Sequence, residues 1–159
     1  MPSRQAVFNN CQSLSKLDVS NWGMGKVIYF GFIFNNCYAL TSLNVSKWDT
    51  SSANNFNAMF SECRNLTNID VSNWNTSNVT HAVNTFLNCK KLTKVSVQNW
   101  DMSNVSQLSG MFAYCSGITS LDISKWNAPK LIEINNTFNG LTKCTRIKIK
   151  GMYSPNLNT

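Results

Sequence analysis

Five cysteines recur at a constant interval along the sequence and are the first candidates for chemistry in this chain: Cys11, Cys37, Cys63, Cys89 and Cys115. The sixth, Cys144, lies shortly beyond the next position of the series, where Leu141 stands instead. A disulfide between neighbouring repeats is geometrically possible, but five equivalent side chains in parallel register do not pair off. A zinc site requires converging ligands with C-x₂₋₄-C spacing, which does not occur. We therefore favour a row of buried free thiols over disulfides and predict no metal site.

Residues suited to acid–base catalysis are few. The single histidine, His81, occupies a repeat position that is otherwise polar and predicted to be exposed, filled by Tyr29, Asn55, Gln107 and Glu133. Carboxylates do not pair on one face, because Asp18, Asp70 and Asp122 lie two repeats apart. Residues 23–26, Gly-Met-Gly-Lys, lack the rest of a phosphate-binding loop. The chain is therefore predicted not to be an enzyme, with no catalytic residue, no cofactor and no small-molecule substrate.

The element that must position all of these residues is the repeat itself. A phenylalanine marks each copy with a 26-residue period, at Phe8, Phe34, Phe60, Phe86, Phe112 and Phe138. Six such units account for nearly all of the 159 residues, which predicts a single domain over residues 1–159. Self-similarity at a fixed period of this length is typical of a solenoid, here of about six coils.

Within each repeat, the spacing of apolar residues predicts two elements. In residues 66–71, Leu-x-x-Ile-x-Val, the spacing changes from three to two, which indicates a short parallel strand. After the tryptophan and a polar turn, a helical spacing follows at Val105, Leu108, Met111 and Phe112. We therefore expect an α/β repeat solenoid of the leucine-rich repeat class, with one short parallel strand and one short helix or helical turn in each repeat.

Two segments carry a resemblance to a known family. Residues 59–66 read Met-Phe-Ser-Glu-Cys-Arg-Asn-Leu, and residues 71–79 read Val-Ser-Asn-Trp-Asn-Thr-Ser-Asn-Val. This pattern resembles the BspA-like leucine-rich repeat surface proteins, and the resemblance covers nearly the whole chain. It implies a non-enzymatic scaffold for adhesion or protein contact, located on a cell surface or in a virion. An export signal and a cell-wall anchor, both features of that family, are missing from this chain, which suggests a segment of a longer protein.

Charge and composition limit the classes of binding partner that we expect. Only 13% of the residues are charged, and 14 Lys and Arg against 7 Asp and Glu give a net charge of +7. The basic residues are scattered until Lys143, Arg146, Lys148 and Lys150, so nucleic acid is a weaker candidate than protein. No run of apolar residues is long enough to span a membrane. The expected partner is a protein or a neighbouring subunit, with carbohydrate as a further option, and the alternative function is a structural component of a virion shell or surface layer.

Three groups of residues are candidates for binding. The first is a ribbon of outward strand positions, which includes Lys16, Asp18, Asn44, Asn68, Asp70 and Lys94. The second is an apolar patch at Ile28, Tyr29 and Phe32, where other repeats carry mostly polar or small residues. The third is the basic last strand, with Arg146, Lys148 and Lys150, for which a partial cap and an acidic partner are both open.

Overall fold

The computed structural model of the protein describes residues 6–150. Its strands are short and parallel: β1 (Asn68–Ile69), β2 (Lys94–Val95), β3 (Ser120–Asp122) and β4 (Arg146–Lys148). Strand β1 pairs with β2, and β3 with β4, so that Ile69 lies opposite Val95 and Leu121 opposite Ile147. Equivalent residues of successive repeats therefore lie side by side. Each 26-residue unit forms one coil of the stack.

A second parallel row lies on another side of each coil. It consists of isolated bridges that join Tyr29 to Asn55, Asn55 to His81, His81 to Gln107, and Gln107 to Glu133. Beyond this row, backbone N–H groups alternate between two kinds of partner. Even-numbered residues from 56 to 62 donate to carbonyls of the next coil, with N···O distances of 2.7–2.9 Å. Odd-numbered residues from 59 to 63 donate to the carbonyl three residues back, at 3.1–3.2 Å.

This alternation replaces the short helix that the apolar spacing predicts. No helix occurs among residues 6–150, and residues 105–112 form a bridge followed by turns. An α-helix needs each N–H to bond the carbonyl four residues back, whereas Leu108, Gly110 and Phe112 donate to the next coil. The short helix, one of the two expected alternatives, is therefore corrected to a series of turns.

Two left-handed residues per coil make these turns tight. The first position is filled by Phe32, Ala58, Asn84, Gly110 and Asn136, and the second by Asn10, Asn36, Glu62, Asn88, Tyr114 and Gly140, all with φ between 50° and 73°. Gly and Asn tolerate this conformation better than other residues. The many asparagines of the repeat are thus partly explained by backbone geometry.

Stacked aromatic rings form the core between the two rows. Phe34 and Phe60 lie with ring centroids 5.7 Å apart and planes 7° from parallel, and Phe86 and Phe112 repeat the arrangement. Trp48 and Trp74 stack in the same way, with centroids 6.3 Å apart. These rings are almost fully buried. Burial of identical rings at identical positions therefore stabilises one register between coils, since a slip would break every stack at once.

At the two ends of the described chain, the same core positions are less well covered. Trp22 is 39% exposed and Ile147 is 36% exposed, whereas Trp74 and Leu121 of inner coils are buried. Phe8 and Phe138 are only partly buried. Among residues 6–150, no helix is long and apolar enough to cross a membrane.

Candidate interaction surfaces

The outward strand positions form a ribbon across the coils, as the strand pattern predicts. Asn68 and Lys94 lie opposite each other in the ladder, Ser42 precedes them and Arg146 follows Ser120. All five are exposed. Because each strand alternates, the neighbouring residues Ile69, Val95 and Leu121 face the core while these polar side chains face solvent.

An open trough of about 410 Å³ lies on this ribbon over the first three coils. Its lining includes four of the candidate residues predicted from the sequence, together with Ser42: Asp18, Asn44, Asn68 and Asp70. Leu17 and Leu43 contribute apolar surface at its base. Lys16 and Lys94 do not line the trough, although both are exposed on the ribbon.

Local hydrogen bonds fix the acidic and amide side chains of the trough. The Oδ1 atom of Asp70 accepts from the backbone N–H of Ser72 at 3.1 Å and from its hydroxyl at 2.6 Å. Asn44 accepts from Ser46 in the same way. Hydrogen bonds from Ser72 lower the pKa of Asp70, and those from Ser20 lower the pKa of Asp18. The trough therefore presents two fixed negative charges on either side of a neutral amide.

The last strand makes its end of the ribbon basic. Lys148 Nζ lies 3.2 Å from Asp122 Oδ2, and Arg146 and Lys150 are exposed beside it. The pKa of Asp122 falls to about 2, first because Ser124 donates to it and to a smaller extent because Lys148 is near. The ion pair is half exposed, so its contribution to stability is small. The ribbon is thus basic at its last strand, whereas Lys16 and Asp18 balance each other in the first coil.

The apolar patch of Ile28, Tyr29 and Phe32 is exposed at 45%, 36% and 38% of each residue's surface. Tyr29 begins the second row of bridges, and its ring lies over Gly31, where a Cβ atom would come within 2.6 Å of it. Phe32 has φ of 62°, an uncommon conformation for a bulky residue. The patch therefore combines exposed apolar surface with backbone strain.

The cysteines and the histidine make local hydrogen bonds. Cys63 donates from Sγ to the carbonyl of Phe34 at 3.2 Å, and Cys37, Cys89 and Cys115 make the same contact with the preceding coil. All six cysteines are free thiols, and those of the inner coils are buried. His81 Nδ1 lies 2.7 Å from the Thr80 hydroxyl. In the described part of the chain, no three His, Cys, Asp or Glu residues are grouped so as to hold a metal ion.

A second cleft, of about 300 Å³, lies between the left-handed positions of three successive coils and is not among the sites predicted from the sequence. It is lined by Asn84, Ser109, Gly110, Tyr114 and Asn136, with further residues from the same three coils. The signal was present in the sequence, since glycine replaces the usual larger residue at Gly110 and Gly140.

Comparison with known proteins gives a family and nothing more specific. The family model described as "Mycoplasma protein of unknown function, DUF285" matches residues 3–96 and again residues 67–150. The two matches overlap, as expected for a model that covers several coils of a repetitive chain. No curated protein and no solved structure matches the chain.

Proposed function

The chain belongs to the DUF285 family of Mycoplasma proteins of unknown function, and from this premise we propose that it is a non-enzymatic scaffold for protein interaction. Its repeat is of the BspA-like leucine-rich type, stacked as a solenoid, and its role is adhesion or contact with a host or partner molecule at a cell surface. The assignment to the BspA-like leucine-rich repeat type is part of the proposal. It is supported by the Phe, Cys, Leu and Trp positions that recur in the inner repeats.

The observation that carries this proposal is the trough on the strand ribbon. Repeat proteins use extended faces of this kind for recognition, because each coil adds one side chain per row at a fixed spacing. Asp18, Asn44 and Asp70 are held by hydrogen bonds from serines. Because these side chains are already ordered, a partner that binds them loses little side-chain conformational entropy. The fixed carboxylates favour a partner with spaced amide, hydroxyl or basic groups.

A second candidate is a structural component of a larger assembly, such as a virion shell or surface layer. The apolar patch supports it, because Phe32 remains aromatic at a left-handed position where equivalent residues include Ala58, Asn84 and Gly110. A strained residue exposed to solvent is better explained by a contact than by folding.

One experiment separates the two candidates. The purified chain is tested for binding to a panel of extracellular matrix proteins, and sedimentation velocity measures its self-association in the same buffer. We expect binding that Asn68→Arg abolishes, because a long charged side chain would fill the trough. The matched control, Asn73→Arg, changes an exposed residue outside the ribbon and should bind normally. Self-association without matrix binding would favour the structural component, and equal binding by both variants would overturn the role of the trough.

A further inference from the structure

The cleft around Gly110 exists because the left-handed positions lose their usual side chains there. At the first such position, Gly110 stands between Asn84 and Asn136 of the adjoining coils. At the second, Tyr114 and Gly140 follow four consecutive polar residues, Asn10, Asn36, Glu62 and Asn88. Elsewhere these polar side chains bond from coil to coil, as Asn36 does to Asn10 at 2.7 Å and Asn88 to Glu62 at 2.6 Å. The ladder of side chains is therefore interrupted at Tyr114.

The two glycines allow neighbouring side chains to lie across the surface. A Cβ atom at Gly110 would overlap Oδ1 of Asn84, and a Cβ atom at Gly140 would come within 2.5 Å of the Tyr114 ring. Tyr114 is 48% exposed and has φ of 58°. The protein thus keeps a bulky aromatic residue in an uncommon conformation, with one edge of its ring on Gly140, its hydroxyl accepting from Asn139 at 3.3 Å, and nearly half of its surface exposed.

The floor of the cleft contains an unsatisfied polar atom. Within residues 6–150, Ser109 Oγ is a buried side-chain atom with no hydrogen-bond partner. A buried hydroxyl without a partner is unfavourable, and native structures contain few. Ser109 lines the cleft together with Asn84 and Asn136. Because this oxygen has almost no solvent-accessible surface, a ligand hydroxyl in the cleft would satisfy it only after the Ser109 side chain rotates toward the cleft.

The chemistry of the lining selects one class of ligand. The lining contains no charged residue and offers amide and hydroxyl groups, each able to donate and accept, beside the aromatic ring of Tyr114. The backbone N–H groups of Asn84, Gly110 and Tyr114 are already bonded to the next coil, at 2.7–2.9 Å. A peptide strand would need free backbone groups of this kind. A neutral pyranose sugar needs only side-chain partners for its hydroxyls and an aromatic face for its C–H groups.

We propose that this cleft is a binding site for a neutral saccharide ring, with Ser109, Asn84 and Asn136 as hydrogen-bonding residues and Tyr114 as the stacking residue. A cleft of about 300 Å³ is at the small end of ligand sites, as one sugar ring requires. The site is separate from the strand ribbon and does not depend on the function proposed for the ribbon.

The test uses the full chain and four sugars: glucose, galactose, mannose and N-acetylglucosamine. Amide resonances of Ser109 and Gly110 are followed by two-dimensional NMR during each titration. We expect at least one sugar to shift them saturably. Gly110→Asn and Tyr114→Asn should each weaken its binding roughly ten-fold or more. Both introduce the residue that tolerates a left-handed backbone and occurs at equivalent positions, so the fold should be kept.

Two further variants make the result decisive. Ser109→Ala should weaken sugar binding and raise the melting temperature, because it removes an unsatisfied hydroxyl; a purely structural serine would not give these opposite signs. Tyr29→Asn removes an exposed aromatic residue elsewhere and should leave binding unchanged. A neutral acetylated tripeptide is titrated in parallel. The proposal is overturned if none of the sugars shifts Ser109 or Gly110, if Gly110→Asn and Tyr114→Asn bind as the parent does, or if only the tripeptide binds.

Discussion

The indole Nε1–H of Trp74 donates to the backbone carbonyl of Val45, one coil earlier, at 3.0 Å. Trp48, Trp100 and Trp126 make the same bond to the preceding coil at 2.8–3.0 Å. The tryptophan thus does more than fill apolar space, because its indole N–H also provides a hydrogen bond to a buried carbonyl between the strand and the turn. Tyrosine or phenylalanine at this position would fill space without reproducing the bond.

The first prediction concerns this bond. Trp74→Phe should lower the free energy of unfolding by about 2–4 kcal/mol, since it leaves the Val45 carbonyl without its donor and removes part of a buried ring. Urea denaturation followed by circular dichroism measures the change. The control is Trp22→Phe, at a tryptophan that is 39% exposed, where a loss below about 1 kcal/mol is expected. Equal losses at the two sites would contradict the role given to the inter-coil bond.

The second prediction concerns thiol reactivity. Burial raises the pKa of the Cys37 thiol to about 11, and burial also raises the pKa of Cys63 and Cys89. A thiol-specific reagent at pH 7.5 should therefore label the partly buried Cys11 and Cys144 rapidly, and the buried cysteines only as fast as the protein unfolds. Mass spectrometry of the labelled peptides checks the order. Rapid labelling of Cys63 in the folded protein would contradict it.

The same thiols predict a loss of stability at alkaline pH. Their folded pKa values are raised, so the unfolded chain releases thiol protons first, from pH near 9 upwards. The free energy of unfolding should accordingly fall between about pH 9 and 11 as the unfolded state is favoured. Urea midpoints at pH 7, 9 and 10.5 measure this, and Cys37→Ala should reduce the slope. An unchanged slope would show that other groups cause the loss.

The third prediction concerns the serine-bonded aspartates. Hydrogen bonds from Ser72 lower the folded pKa of Asp70. The pKa values of Asp18, Asp49, Asp101 and Asp122 are each lowered by the serine two residues further on. A lowered folded pKa contributes stability above the unfolded value near 4, and this is lost as pH falls through the folded values. Melting temperatures at pH 7, 4 and 2.5 should therefore decrease mainly below pH 4.

Asp70 also provides a matched pair of variants. Asp70→Asn keeps an oxygen acceptor, as Asn44 does at the equivalent position, but loses the charge, so at pH 7 it should cost less stability than Asp70→Ala. Asp70→Ala removes the acceptor and should destabilise by about 0.5–1 kcal/mol, the lower part of the range for a hydrogen bond. Equal losses for Asn and Ala would mean that the charge, and not the acceptor oxygen, is what Asp70 contributes.

How much of the fold could be predicted is clearest from particular residues. The pairing of Ile69 with Val95 follows from the fixed period of the repeat combined with an alternating strand, and both are visible in the sequence. The turns after Phe56 were not visible, because apolar residues in tight turns can have the same spacing as in a helix. Asn84 and Gly110 hint at left-handed backbone, but Glu62 and Tyr114 adopt it with no such hint. Tertiary hydrogen bonds to the next coil decide these positions, and a single repeat does not contain them.

The candidate sites divide in the same way. Asp18, Asn44 and Asp70 were found from the strand pattern, since outward positions follow once the inward ones are known. The cleft at Ser109 and Gly110 depends on how three coils differ from one another, and its unsatisfied hydroxyl is a property of packing alone. In the sequence, this cleft is indicated only by Gly110 and Tyr114, which differ from the residues at equivalent positions in the other repeats.

The fourth prediction concerns the apolar patch. Backbone strain at Phe32 would favour a smaller residue there, whereas a contact with another subunit would favour the exposed aromatic ring. Phe32 adopts φ of 62° and is exposed, whereas the equivalent residues in two later coils are Asn84 and Asn136. Phe32→Asn should raise the free energy of unfolding by about 1 kcal/mol, because asparagine relieves the left-handed strain while little buried surface is lost. Urea denaturation of the isolated chain measures this gain.

The same variant, combined with Tyr29→Asn, should abolish association if the patch packs against another subunit. Sedimentation velocity over a hundred-fold range of concentration measures the loss, and Tyr38→Asn, at a residue outside the patch, serves as the control. A double variant that is more stable but no longer associates would identify the patch as a contact surface that is kept at the expense of stability. A double variant that is less stable and associates as before would assign Tyr29 and Phe32 to folding instead, because the rings would then contribute more through packing than the left-handed backbone costs.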